Sequence, residues 1–392
     1  MSNDIVLIST ADWSNPFWTN KQHTAISLAK KGKRILFIDS LGLRGATVSV
    51  SDSKRIINKI VKAFSLPKQV KPNIWSVSPL CIPGARNKIS ILLNKILIRF
   101  NLFIYLKILG FKKPILWTYN PKTLSFIDPN AYSKIIYHCA DNISSQPHMD
   151  KNSIDFFEEK LIKIADYIFV TSKALLNKCK KWNINTYYFH NVVDIDNFRI
   201  FNNKKNNYNF DDINKINSPR LGFVGAISNY KLNLNILIDI ALKRKDWSII
   251  LIGKVGEGDP YTDVFKLKKI KNIHFLGPKK YEEVPYYMDM LDIALIPCKI
   301  NTYTKSMFPL KFFEYLSLGL PVVATKLESL EDFSDFHYRA DNSNTFIEII
   351  DNILSKKLLL EKDRLIKLAE KYTYEIRTEK MLNIIETNIN SH

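Results

Sequence analysis

The stretch Ser306-Met307-Phe308-Pro309-Leu310-Lys311-Phe312-Phe313-Glu314-Tyr315-Leu316-Ser317-Leu318-Gly319-Leu320-Pro321-Val322-Val323-Ala324-Thr325 puts a lysine and a glutamate at the start of a helix that runs straight into an apolar strand. Lys311 and Glu314 are three residues apart and so share one helical face. The start of that helix also offers backbone N–H groups at the positive end of its dipole. A cation, an acceptor carboxylate and a set of donors suit a diphosphate joined to a ribose. An amphipathic helix whose Lys311 and Glu314 merely face water has the same spacing, and spacing alone does not separate the two.

Ser-x-x-Pro-x-Lys-x-x-Glu-Tyr-Leu-x-x-Gly-x-Pro-Val-Val-Ala-Thr resembles the donor-site signature of GT-B glycosyltransferases, the family-4-like enzymes of bacterial surface polysaccharides in particular. The resemblance implies that Ser306, Pro309, Leu310 and Lys311 border the diphosphate of a nucleotide sugar. It gives Glu314 the ribose hydroxyls. Many such enzymes carry another glutamate eight residues earlier, where this chain has Ser306.

Leu221-Gly222-Phe223-Val224-Gly225-Ala226-Ile227-Ser228-Asn229-Tyr230-Lys231 reads as a strand running into a loop. Gly225 permits close backbone approach to a phosphate and Lys231 brings a charge to it. Relatives have Gly-Arg-x-x-x-x-Lys here. Ala226 replaces the arginine, which leaves Lys231 and Lys311 as the cation pair, with a solvated loop lysine as the plain alternative for Lys231. Likeness extends to Ala165–Ser172, to His190-Asn191-Val192-Val193-Asp194 and to Phe275–Pro278, blocks that argue for scaffold more than for chemistry.

Around these motifs, short apolar runs alternate with helical periods, predicting an α/β chain of two Rossmann-like, doubly wound parallel-sheet domains facing a central cleft. Strands are expected over 4–9, 34–39, 115–119, 134–139, 167–171 and 185–189, with helices over 19–31 and 54–64 among those between. A second set is expected over 220–224, 248–252, 273–276, 293–297 and 322–325. The expected domains are 1–200 for the acceptor and 218–373 for the donor, joined by the polar linker 201–217. A terminal helix over 374–392 crosses back to the first domain, as the resemblance implies.

On the acceptor side, Asp141 follows an apolar strand and emerges at its carboxyl edge, where a carboxylate can take a proton from an acceptor hydroxyl. His138 is the alternative. Capping the next helix is the structural reading of Asp141, and a place in the core that of His138. A base belongs to inverting transfer, whereas family-4-like enzymes retain configuration, the course favoured here. Trp13 and Asn15, in a loop without the glycines of a phosphate cradle, suit sugar stacking or plain packing.

The chain has 392 residues, 46% hydrophobic and 24% charged, enough for two cores and unlike a disordered protein. Its four cysteines are scattered and its seven histidines lack zinc spacing, so neither a disulfide frame nor a metal site is expected. The start reads as a strand and not as a signal peptide. The net charge of +19 is uneven: residues 1–200 hold 29 Lys and Arg against 13 Asp and Glu, and residues 53–127 hold fourteen bases and no acid. Such a surface asks for an anionic partner. Residues 88–113 are apolar apart from a basic stripe of Lys88, Lys95 and Arg99, with Lys107 about a quarter-turn away. That pattern predicts an interfacial contact with an anionic membrane, against the alternative of a buried helix with snorkelling cations.

The expected function is transfer of a sugar from a nucleotide-diphosphate sugar to a lipid-linked glycan acceptor in capsule, O-antigen or other surface polysaccharide synthesis. The expected place is the cytoplasm, peripheral to the inner face of the cell membrane, with no cofactor and no metal. A basic nucleic-acid- or lipid-binding protein without catalysis is the rival, as is a nucleotide-sugar epimerase of the same fold. No nucleic-acid motif supports the first.

Overall fold

Runs of branched and aromatic residues such as Arg34–Ile38 and Ser248–Ile252 leave almost no side chain in water. Continuous burial, in place of alternation, is what a parallel sheet covered on both faces demands. The computed structural model describes residues 2–41, 66–81, 88–200 and 209–387. The chain divides into two compact units, Met1–Phe189 with Thr378–His392, and His190–Arg377.

The first unit contains β1 (Asp4–Ile8), β2 (Arg34–Ile38), β3 (Lys68–Lys71), β4 (Ile74–Val77), β5 (Ile115–Thr118), β6 (Lys134–Cys139), β7 (Tyr167–Val170) and β8 (Thr186–Tyr188). Their order is β3-β4-β2-β1-β5-β6-β7-β8, parallel except for β3, which runs antiparallel to β4 at the edge. Alternate residues feed opposite faces. Val6, Ile8, Leu36 and Ile38 enter one core, which the helix Lys88–Leu109 covers with Ile98, Leu102 and Tyr105. Ile5, Leu7, Ile35 and Phe37 enter the other, covered by Met381, Leu382 and Ile385 of the helix Tyr374–Thr387. Each large apolar side chain so buried contributes about 1.5–3 kcal/mol.

The second unit contains β9 (Arg220–Val224), β10 (Ser248–Ile252), β11 (Ile273–Gly277), β12 (Ile293–Ile296), β13 (Val322–Thr325) and β14 (Tyr338–Ala340). The order β11-β10-β9-β12-β13-β14 reverses direction between β9 and β12, the topological switch point where such sheets take ligands. These two strands register only as Ile293 with Leu221 and Ala294 with Gly222, so they part before their carboxyl ends.

Several expectations need correction. The edge pair β3–β4 lies in the basic segment, where lysines hid its short alternation, and β14 was likewise not foreseen. The boundary between units falls at Phe189 and His190, not at 200. Of the expected linker, 201–208 lie outside the described residues, as does the helix expected over 54–64. The remainder is not linker. Phe210, Ile213 and Ile216 are buried in the core of the second unit, and Asp212 pairs with Lys279 and accepts the Tyr287 hydroxyl at 2.9 Å. Apolar residues at three-residue spacing give even an asparagine-rich run one face to dock.

Candidate functional site

At the end of β9 the chain turns through Gly225, whose φ of +150° is open to glycine, and its N–H donates to the Ile252 carbonyl at 2.9 Å. Gly253, at the end of β10, is under tighter constraint. Its φ is +145°, and a Cβ there would lie 1.9 Å from the Gly225 carbonyl oxygen. The two strand ends therefore press together as bare backbone, a constraint the sequence reading missed although Ile-Gly after an apolar strand was a signal for it. Beyond Gly225, the loop closes with the Lys231 ammonium lying over two rings: its Nζ is 5.3 Å from the Tyr230 ring centre and 5.6 Å from that of Tyr303.

From β12 the chain passes to the helix Thr302–Lys305, capped by Asn301, whose Oδ1 accepts from the N–H groups of Tyr303 and Thr304 at 3.0 Å. Ser306 follows, buried, its hydroxyl donating to the Thr302 carbonyl at 3.3 Å. Pro309 is buried and Leu310 half-buried at the entrance to the helix Lys311–Ser317. Leu310 stands at its N-cap and has no side-chain acceptor to offer, so the first-turn N–H groups are not capped by it. The Phe308 carbonyl just before accepts from Asn191 Nδ2 at 2.6 Å, and Phe308, Phe313, His190 and Tyr372 pack ring against ring behind the helix.

Lys311 Nζ and Glu314 Oε2 are 2.5 Å apart, with Glu314 buried and Lys311 half-buried. Burial pushes the Glu314 carboxyl up, and the neighbouring Lys311 only partly offsets this. The pair does not merely face water, as the bland reading had it. Tyr281 adds to the same cluster: burial, then the charges of Glu314 and Asp194, hold its phenol well above the usual range, and its hydroxyl donates to Asp194 Oδ2 at 3.4 Å. Tyr281 was not named from sequence and Asp194 only within a scaffold block, because 87 residues separate them.

One contact joins the two halves of the site. Where β9 and β12 part, the Val224 N–H loses its ladder and donates to Tyr315 Oη at 2.8 Å. Tyr315 is wholly buried, so its hydroxyl serves that backbone group and fixes the Lys311–Ser317 helix against the strand bearing Gly225. A hydroxyl on the apolar face of the helix was the available signal.

In the first unit, Asp141 follows β6 half-buried at the carboxyl edge, and its carbonyl accepts from Ile143 N–H at 3.0 Å. The adjoining loop is held by Lys178, which donates to the buried Glu158 at 2.6 Å and to Asn142 Oδ1 at 3.5 Å. His138 is 0% exposed and stacks on Tyr119 with ring centres 4.5 Å apart, with Trp117 and Phe169 beside it. An imidazole sealed in the core cannot touch an acceptor, so His138 is a packing residue and not a catalytic one. Trp13 packs edge-on against Phe37 at 5.1 Å, and its backbone N–H donates to Asp39 Oδ1 at 2.8 Å. Asn15 Oδ1 accepts the Phe17 N–H at 3.0 Å, closing the turn.

Of the residues expected at a membrane, Lys88 opens the helix Lys88–Leu109, and its side chain lies outside the described set. Lys95 is half-buried and Lys107 exposed. Arg99 is turned inward, Nη2 donating to the Ile127 carbonyl at 2.5 Å, and so is a structural tie instead of a lipid contact. Among the described residues, no three His, Cys, Asp or Glu side chains gather to hold a metal ion.

Two parallel α/β units, the second with an acid–base pair at its switch point, have the architecture of the GT-B glycosyltransferases. Residues 218–356 match the family described as glycosyl transferases group 1. The putative teichuronic acid biosynthesis glycosyltransferase TuaH of Bacillus subtilis (strain 168) is 30% identical over 209 residues, 51% of this chain and 52% of that protein. The chain thus spans about half the length of the curated relative it matches. Sucrose-phosphate synthase from Thermosynechococcus elongatus superposes with a TM-score of 0.68 at 13% identity, over 99% of this chain and all of that one. Anabaena HepE, solved in complex with UDP and glucose, gives 0.66 at 15% identity over 98% and 99%. Identities so low speak for the fold alone.

Proposed function

We propose that the protein transfers a glycosyl group from a nucleotide-diphosphate sugar to a lipid-linked glycan acceptor during synthesis of a surface polysaccharide. The observation that carries this reading is the Lys311–Glu314 pair, its carboxylate buried, within the segment that matches the group 1 family. In this reading Glu314 accepts the ribose hydroxyls, while Lys311 and Lys231 meet the diphosphate. Ser306, Pro309, Leu310 and Gly225 shape the surface around it. As the bond from the sugar to the diphosphate breaks, negative charge grows on the departing phosphate oxygen, where fixed cations stabilise it most. Two lysines supply that charge, and our reading requires no metal or cofactor. Asp141 orients the acceptor hydroxyl from the first unit, with Trp13 and Asn15 framing the loop after β1, and configuration is retained. The names of TuaH, given to teichuronic acid biosynthesis, and of HepE, solved with UDP and glucose, support a polysaccharide product and a nucleotide-sugar donor.

A panel of UDP-, GDP- and other nucleotide sugars, screened by thermal shift and then by transfer of labelled sugar to lipid-linked acceptors, tests this. A donor should raise the melting temperature, because it binds only the folded state. Absence of stabilisation by every nucleotide sugar would refute the reading, and conversion of the sugar without acceptor would point to an epimerase.

A further inference from the structure

The helix Lys88–Leu109 carries more exposed large apolar side chains than any other element among the described residues. Ile89 is 73% exposed, Phe100 62% and Phe103 65%, and Leu92, Leu93 and Ile96 are also exposed. At about 100° per residue these six fall within a wedge of about 100° on one side of the helix. Ile98, Leu102 and Tyr105 point the opposite way, into the core beneath β1 and β2. By length and composition the helix could cross a bilayer. Its inner face is already committed to the first unit, so it cannot be surrounded by lipid while that unit is folded.

Charge identifies what covers the outer face. Residues 53–127 contain no acid, and Lys107, Lys112 and Lys113 are exposed at the carboxyl end of the ridge. A second copy seated here would set bases against bases. An anionic bilayer offers hydrocarbon for the ridge and phosphates for the lysines.

We propose that this helix lies flat in the surface of an anionic membrane, with the ridge from Ile89 to Phe103 inserted at the acyl boundary and the lysines at the headgroups. The contact is thus mainly apolar, in place of the basic stripe that the sequence suggested. It goes beyond the proposed reaction and stands without it.

Flotation of the full chain with phosphatidylglycerol–phosphatidylcholine vesicles tests the proposal. The wild type should float, and added salt should weaken but not abolish binding, since screening acts on charges only. The triple variant Ile96→Ser, Phe100→Ser, Phe103→Ser should bind at least about tenfold more weakly, with its melting temperature checking the fold. In a separate arm, the single variant Phe100→Trp should add fluorescence to that of the six native tryptophans, and brominated lipid should quench this added part. A wild type left at the bottom, a triple variant that floats equally well, or an unquenched Trp would overturn the proposal. So would a wild-type dimer in lipid-free buffer that the triple variant converts to monomer.

Discussion

Replacing Glu314 by glutamine should stabilise the empty protein while weakening nucleotide binding. Glu314 is buried, and its carboxyl is pushed above its ordinary value by burial despite Lys311 at 2.5 Å. The folded state therefore binds the proton more tightly than the unfolded chain does. Stability is greatest with the carboxyl protonated, declines as pH rises from the unfolded value through the folded one, and stays lower above it. Glutamine does not titrate, so it removes this loss while keeping the shape. The melting temperature of the empty protein should therefore rise at neutral pH. Bound nucleotide reverses the balance. Two ribose hydroxyls donating to a neutral amide oxygen instead of a carboxylate each lose about 1 kcal/mol. Together they lose about 2 kcal/mol, or about thirtyfold in affinity. Scanning calorimetry across pH and titration calorimetry with the preferred nucleoside diphosphate read the two effects separately. An unchanged affinity would refute the assignment of Glu314 to the donor, and a lower melting temperature would refute the account of its burial.

Gly253→Ala should destabilise the second unit by about 3 kcal/mol, because its Cβ would have to displace the Gly225 carbonyl from 1.9 Å and its φ is left-handed; chemical denaturation measures this, and a loss under 1 kcal/mol would contradict it. Tyr315→Phe leaves the Val224 N–H unserved and should cost about 1–3 kcal/mol with a weaker donor affinity, whereas unaltered stability would show that the bond is dispensable. Asp141→Asn should lower kcat at least about tenfold at unchanged donor Kd, and near-normal turnover would return Asp141 to a structural role.

The local code was readable where chemistry and geometry coincide within a few residues. The fully apolar strands, Gly225 after β9 and the Lys311–Glu314 spacing all came from neighbours in the chain, because strand pleat and helix pitch are local properties. Misreadings arose where long-range packing decides. His138 looks catalytic beside Asp141, yet pleat alternation carries its ring into the core against Tyr119. Arg99 looks like a surface base, yet the Ile127 carbonyl turns it inward.

By itself, the sequence determined that two parallel α/β sheets would form and which short segments could meet a diphosphate. Only tertiary structure decided that β9 and β12 part where Tyr315 takes the Val224 N–H, that Tyr281 comes near both Glu314 and Asp194, and that the helix Lys88–Leu109 turns its apolar ridge outward. Periodicity specifies which residues share a face of an element. Which face is buried depends on what the rest of the chain brings against it.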